Sequence, residues 1–308
     1  MSLFSPRESY KGYNIYSMKK NVDKRRVIVT AIIVFITILS LSMTIFYLAD
    51  TKIRLNRREQ FAEFYINLQK EREERKAEEL ANKPEPLPPQ LTEQGRENLK
   101  NIFHSETRRA FLTFDDGPTQ HTEALLMILR ERNIRATFFL LGSQVNRFPE
   151  LTRKIYEDGH FIANHGYSHV FSQIYSSPEA VLEEYMQTRD AIRIALNQPE
   201  FDTQVFRFPG GFIGGRHFPV KEQAAALLAE HGIMHIDWNA LTGDAERQNP
   251  TQDFIMQRLR ETTYGKNSVV ILMHESMART ITVDTLPAVI DFLMEQGYEF
   301  MSFHDLIV

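Results

Sequence analysis

Between Val27 and Ala49 the chain reads VIVTAIIVFITILSLSMTIFYLA, 23 residues without a charged side chain. About 20 helical residues, at about 1.5 Å each, match the hydrocarbon thickness of a bilayer. A single transmembrane helix is therefore expected at 27–49, with residues 1–26 as a tail before it. A helix buried in a soluble core would normally carry a polar face, and Lys19, Lys20, Lys24, Arg25 and Arg26 crowd the entrance as at a membrane boundary. The Tyr47-Leu48-Ala49 end lacks the small-x-small pattern of a cleavage site and the apolar run is long, so an uncleaved anchor is expected rather than a signal peptide. Lys52, Arg54, Arg57 and Arg58 follow the run, so charge alone orients it weakly.

Thr51 to Asn82 is rich in Glu, Lys, Arg, Gln and Ala, with Phe61, Phe64, Tyr65 and Leu68 at helical spacing and Glu71/Arg75 four apart. A helical stalk is predicted; fully helical, it would span roughly 45 to 50 Å. Its apolar stripe could seat a weak dimer, but without sustained heptads a stripe packed on the domain or the membrane surface is the plainer reading. Four prolines in Lys83-Pro84-Glu85-Pro86-Leu87-Pro88-Pro89-Gln90 stiffen the next stretch into a spacer. Residues 50–106 are thus read as stalk and Pro-rich linker, and 107–308 as the main domain, with a boundary expected just after the spacer. That remainder is long enough for one sizeable core.

A formal net charge of -4, from 36 Lys plus Arg against 40 Asp plus Glu, provides no basic field for nucleic acid, which is excluded as a partner. With no cysteine, disulfides, thiolate metal sites and Cys nucleophiles are all excluded, so any metal must take His and carboxylate ligands. From about Arg108, short apolar runs alternate with amphipathic stretches, the signature of βαβ units on a parallel sheet. Seven strands are predicted: 110–114, 136–141, 161–164, 205–208, 234–238, 269–273 and 299–303. Helices are predicted at 123–132, 150–157, 178–196, 220–231, 251–262 and 284–296. Asp115 and Asp116 follow the first strand, His165 the third and His274 the sixth, while Arg207 lies on the fourth. Chemistry gathers at C-terminal strand ends in parallel α/β folds, so a (β/α)7 barrel is favoured over an open sheet.

Thr113-Phe114-Asp115-Asp116-Gly117-Pro118 puts two carboxylates on a tight turn, one able to bind a metal and the other to stay free. Alone, Asp-Gly-Pro is ordinary turn chemistry. In His165-Gly166-Tyr167-Ser168-His169, however, two imidazoles stand four apart, as one helical turn would align them. With Asp116 they form a His-His-carboxylate set that leaves a coordination position for water, as catalytic zinc-type sites do. Val205-Phe206-Arg207-Phe208-Pro209-Gly210-Gly211 ends a strand in an Arg able to orient a carboxylate, followed by glycines that permit close backbone approach. Val269-Val270-Ile271-Leu272-Met273-His274 is a buried strand delivering one His suited to a general acid. Taken singly, the Arg could be a surface residue and the His a hydrogen-bonded core residue.

Carrying these motifs in this order, the chain resembles the polysaccharide deacetylases, also described as the nodulation-protein-B homology domain or carbohydrate esterase family four, over roughly Thr107 to Val308. The resemblance, to membrane-anchored peptidoglycan N-acetylglucosamine deacetylases in particular, implies a distorted (β/α)7 barrel. It implies Asp115 as catalytic base; Asp116, His165 and His169 as metal ligands; and Arg207 as the holder of Asp115. Pro209, Gly210 and Gly211 would line the substrate, Leu272 the acetyl pocket, and His274 would be the acid. The fourth motif matches Asp237 to Ala245, and a carboxylate raising the pKa of His274 is assigned to Asp244, with Asp237 as second choice. Backbone N–H groups near Gly210 would face the oxyanion.

Gly166 stands where the family usually has Ser or Thr, Ala245 where many members have Trp, and Glu275 where Asp is commoner. One divalent cation is implied; zinc is expected, while cobalt, manganese and nickel suit the same ligands. The implied partner is an N-acetylated cell-envelope glycan. With a substrate outside the cell, a single-pass cell-membrane protein with an extracellular catalytic domain is expected. Another N-acetylated polymer, such as an exopolysaccharide or a chitin-like oligomer, and an inactive glycan-binding module are the alternatives. His104, His121, His160, His217, His231, His235 and His304 receive no role, and Trp238 is read as core packing.

Overall fold

The computed structural model describes Lys24, residues 26–48, Lys52, Lys70, residues 91–275 and residues 280–307. Residues 1–23 of the tail, nearly all of the stalk and the Pro-rich spacer at 83–90 lie outside the described residues. The chain divides into two units, Met1–Glu85 and Pro86–Val308. In the first, helix α1 (Arg26–Leu48) is long and apolar enough to cross a membrane, and none of it is buried; Phe46 is 76% exposed. Hydroxyls at Thr37, Ser42 and Thr44 bond back within the helix, Thr37 Oγ1 donating to Ile33 O at 3.0 Å, Ser42 Oγ to Leu39 O at 2.8 Å and Thr44 Oγ1 to Ser40 O at 2.8 Å, which lowers the polarity these three side chains present.

The second unit is a curled, wholly parallel sheet in the order β5-β4-β3-β2-β1-β7-β6. Its strands are β1 (Arg109–Gly117), β2 (Thr137–Leu140), β3 (Phe161–Asn164), β4 (Val205–Phe206), β5 (Met234–His235), β6 (Ala240–Leu241), β7 (Ser268–His274) and β8 (Glu299–Met301). Arg109–Phe111 of β1 pairs with β8 and Thr113–Gly117 with β2, while β7 pairs along residues 109–115. Residues 236–239 join β5 to β6 at opposite ends of the strand order, and no ladder pairs those two strands among the described residues. This is a distorted barrel, left open between β5 and β6. Ala240–Leu241 is an eighth strand that the seven-strand expectation missed, because two residues carry no period. The fourth predicted strand stops at Phe206, two residues early, since Pro209 has no N–H to donate and Gly210 and Gly211 turn to φ +71° and +73°.

Period-two alternation sorts the side chains of β1 and β7. Ala110, Leu112 and Phe114, with Val269, Ile271 and Met273, pack in a core that includes helices α3 (Thr122–Glu131) and α10 (Ile281–Glu295). Phe111 and Val270 point the other way, into the barrel interior with Phe139, Phe161 and Phe303. The same parity places Thr113, Asp115, Leu272 and His274 on the interior face.

Six helices correspond to predicted ones: α3, α5 (Pro149–Glu157), α7 (Pro178–Leu196), α8 (Phe218–Glu230), α9 (Gln252–Thr263) and α10. For α7 the expected ends are the observed ones. Ser177 caps the start by accepting from Ala180 N–H, Pro178 occupies the first turn, and Asn197 stops the helix at φ 54°. Short helices α4 (Gly142–Arg147), α6 (Phe171–Ile174) and α11 (His304–Ile307) were not foreseen, being too brief for periodicity.

Helix α2 (Glu93–Lys100) lies before the expected domain start at 107 and packs on the same unit. Leu91, Leu99 and Ile102 are buried in one cluster with Phe303, Leu306 and Ile307, and Asn98 Nδ2 donates to Leu306 O at 2.8 Å. The folded unit therefore includes residues that the reading assigned to the linker.

Candidate active site

Strict alternation would send Asp115 and Asp116 to opposite faces. A register shift between Asp115 and Gly117, with Asp116 at φ 74°, breaks the alternation and lets both carboxylates serve one site. Asp116 Oδ1 lies 3.5 Å from His165 Nε2 and 3.4 Å from His169 Nε2. That oxygen is buried and has no hydrogen-bond partner among the described residues. The three candidate ligand atoms stand within 4.8 Å of one another. Tetrahedral bonds of about 2.0 to 2.2 Å would separate neighbouring ligand atoms by about 3.3 to 3.6 Å, so the two Asp116 distances fit a cation held between these groups.

The imidazoles are held in place by their surroundings. His165 Nδ1 donates to the Arg207 carbonyl at 2.9 Å, which leaves Nε2 as the lone-pair nitrogen. Burial pushes the His165 pKa down against the charges of Asp115 and Asp116, favouring the neutral, ligating imidazole. His169 sits at φ 56°, a backbone state uncommon for a residue with a Cβ. The loop between the histidines is clamped by a residue that sequence reasoning missed. Glu184 of α7 is 8% exposed, and it accepts from Tyr167 N–H at 2.7 Å, from Ser168 N–H at 2.9 Å and from the Ser168 hydroxyl. Its signal was a carboxylate in phase with the buried stripe Val181, Tyr185, Thr188 and Ile192. Gly166, the departure from Ser or Thr, has φ +80°, and a Cβ there would lie 3.2 Å from Glu184 Oε2. The support that a hydroxyl could give comes here from Glu184, and from Asn164 Oδ1, which accepts from Gly166 N–H at 2.9 Å.

Arg207 is fully buried. It donates to Asp115 Oδ1 at 2.7 Å, Thr113 Oγ1 at 2.8 Å, Ile236 O at 3.0 Å and Asp237 O at 3.1 Å, and its guanidinium lies 3.8 Å from the Phe139 ring centre. These contacts fix one Asp115 oxygen, while the other, Oδ2, stands 3.8 Å from His165 Nε2 beside the ligand set.

Across the β1–β7 ladder, His274 is the register partner of Asp115 and Leu272 that of Thr113. Asp244 Oδ1 lies 3.0 Å from His274 Nδ1, and its Oδ2 accepts from His274 N–H at 2.6 Å and from Thr282 Oγ1 at 2.8 Å. Burial alone would lower the His274 pKa; the bond and charge of Asp244, then the charges of Asp115 and Asp116, outweigh it and raise the value to about 9. The Asp244 pKa is correspondingly held down, its His274 bonds overcoming burial. Asp237, the second choice, instead accepts from Phe212 N–H at 2.8 Å, and burial raises its pKa.

Glu275 follows His274 in the chain, and burial pushes its pKa up to about 7. Its Oε1 accepts from Thr119 N–H at 2.8 Å and from the Thr122 hydroxyl, tying the loop after the aspartates to β7. Ala245 is exposed beside Asp244 and offers no wall. Half-buried Trp238 packs against the interior core, and its ring leaves no room for a Cβ on Gly211, which would meet it at 2.7 Å.

Three comparisons with known proteins bear on these groups. The family described as polysaccharide deacetylase matches residues 104–233. A peptidoglycan-N-acetylglucosamine deacetylase of Bacillus cereus is 30% identical over 206 residues, covering 66% of this chain and 72% of its own. Chitin deacetylase 1 of Saccharomyces cerevisiae is 33% identical over 171 residues, covering 56% and 53%. Among solved structures, a CE4 esterase of Streptococcus mutans superposes with TM-score 0.61 at 30% identity, over 67% of this chain and 90% of its own. With the fold, the matched residues and this extent of identity in agreement, the chain belongs to the polysaccharide deacetylase family.

Proposed function

We propose that the protein hydrolyses N-acetyl groups from N-acetylglucosamine residues of peptidoglycan, releasing acetate. One observation carries the reading: a buried, otherwise unpartnered Asp116 oxygen faces two imidazole nitrogens, while a second aspartate is clamped beside them by Arg207. Asp116, His165 and His169 would hold one divalent cation, zinc preferred, which would supply acidification of water and polarisation of the acetamide carbonyl. Asp115 takes the proton of the attacking water, its other oxygen restrained by Arg207. Pro209, Gly210 and Gly211 line the acyl group, Gly210 N–H meets the developing oxyanion, and Leu272 covers the acetyl methyl. The C–N bond breaks as His274 gives its proton to the leaving amine, and Asp244 keeps that imidazole charged beforehand. The products are acetate and a free amine on an intact sugar chain.

The substrate class follows the Bacillus cereus relative, while the yeast chitin deacetylase supports a chitin-like oligomer as the second reading. Helix α1 serves as a single-pass anchor in the cell membrane, with the stalk and Pro-rich linker carrying the 107–308 region, extended back through α2, to an extracellular glycan; this requires no dimer. The test is acetate release by the zinc-loaded full-length protein from purified peptidoglycan and from N-acetylglucosamine oligomers, without chain cleavage. Chelation should abolish release and zinc should restore it. Activity that survives complete metal removal overturns the mechanism, and glycan binding without acetate release identifies a binding module. Release of the chain from membranes by alkaline carbonate would refute the anchor.

A further inference from the structure

Gly210 N–H donates to no group among the described residues, whereas the carbonyls around it are held firmly. Tyr175 Oη donates to Pro209 O at 2.6 Å. Lys221 Nζ donates to Gly211 O at 2.5 Å and reaches Pro209 O at 3.4 Å, with its ammonium 4.7 Å from the Tyr175 ring centre. Tyr175 and Lys221 are 4% and 5% exposed. Placing a lysine ammonium against main-chain carbonyls and a ring, inside the protein, is costly unless it secures something. Burial lowers the Lys221 pKa, opposed by the charge of Asp237.

What the two residues secure follows from peptide geometry. The Pro209–Gly210 unit is planar and trans, so its carbonyl and its N–H point in opposite directions. Two buried donors draw the carbonyl inward, and the N–H must face away from them. On the next peptides, Gly211 N–H is turned back to Phe208 O at 2.7 Å and Phe212 N–H is taken by Asp237, which leaves Gly210 N–H for a ligand. Gly210 adjoins the metal-ligand set: a Cβ on it would lie 2.9 Å from Phe171 Cζ, and the Phe171 ring packs on His169 with centres 5.6 Å apart. A cation at the carbonyl end of a peptide also draws electron density from its N–H, making that N–H a stronger donor.

We propose that Lys221 and Tyr175 are positioning residues for deacetylation, which lock and polarise the Pro209–Gly210 peptide so that Gly210 N–H stands preset for the oxyanion. The inference rests on the reaction proposed above. It is tested in zinc-loaded full-length protein with Lys221→Met, which keeps the stem and removes the charge, and Tyr175→Phe, which removes only the hydroxyl. With N-acetylglucosamine oligomers, kcat should fall about tenfold to 10²-fold in each, short of the roughly 10²- to 10³-fold for losing an oxyanion donor outright. KM should stay within about twofold. Affinity for an oligomer carrying a tetrahedral methylphosphonyl group in place of acetyl should fall by the same factor as kcat, while zinc content and binding of the deacetylated product hold. A purely structural role predicts losses that track zinc content or folded fraction, and that result, or an unchanged kcat, overturns the inference. If the Lys221 variant does not fold, the Tyr175 variant decides alone. Wild-type protein that releases no acetate overturns the reaction and this inference together; active wild type with unimpaired variants overturns only the inference.

Discussion

Asp244 grips His274 through both the ring and the main chain, and Thr282 holds the same carboxylate in place. An acid must be protonated to act, so activity should be present below its pKa and lost as pH rises through about 9. Replacing Asp244 by Asn removes the charge that opposes burial, so the alkaline limb of the kcat/KM profile should move to about 6.5 or lower. From titration alone a limb at about 6.5 costs about 30-fold at pH 8 and less than about twofold at pH 6, and a lower limb costs more at both. A variant whose alkaline limb stays near 9 would show that Asp244 does not set the acid. The residues proposed as acid and base, His274 and Asp115, were legible in sequence as single residues at strand ends. The resemblance put Asp244 ahead of Asp237 as the partner of His274, and the structure brings Asp244 to it, although residue spacing alone separates the two aspartates poorly.

At the scale of elements, the ligand loop 165–169 depends on a helix distant in sequence. Glu184 of α7 receives two amides and a hydroxyl from that loop, so Glu184→Gln exchanges a threefold acceptor for a group that must also place two N–H donors. Loss of a support behind metal ligands typically costs about 10- to 100-fold in affinity, and that drop in zinc affinity is expected in chelator competition, with the circular dichroism spectrum unchanged. Unaltered affinity would leave Glu184 a plain structural residue. The bounds of α7 were readable because Ser177, Pro178 and Asn197 act locally. Its role was hidden, because a helix sequence states which face is buried but not what that face meets.

For the molecule as a whole, the folded unit reaches back to helix α2. Leu91, Leu99 and Ile102 are buried, and at about 1.5 to 3 kcal/mol each their contribution is roughly 4.5 to 9 kcal/mol before the entropy of ordering the helix is subtracted. A chain beginning at residue 107 should melt on the order of 10 °C below one beginning at residue 91. Equal melting temperatures in scanning calorimetry would show that α2 is dispensable. The apolar span, the parallel α/β class, the positions of Asp115 and His274 at strand ends and the His and Asp residues proposed as metal ligands are readable from the chain alone. Each of these is written in local periodicity or in side-chain chemistry. Only the folded chain reveals the β1 register shift that turns Asp116 back beside Asp115, the opening between β5 and β6, and the pairing of β1 with β7 that sets Asp115, Leu272 and His274 on one face. It also sets Glu184 and Lys221 behind the ligand loop and the Gly210 turn. Contacts between segments tens of residues apart depend on how strands pair and helices pack, and no local pattern specifies them.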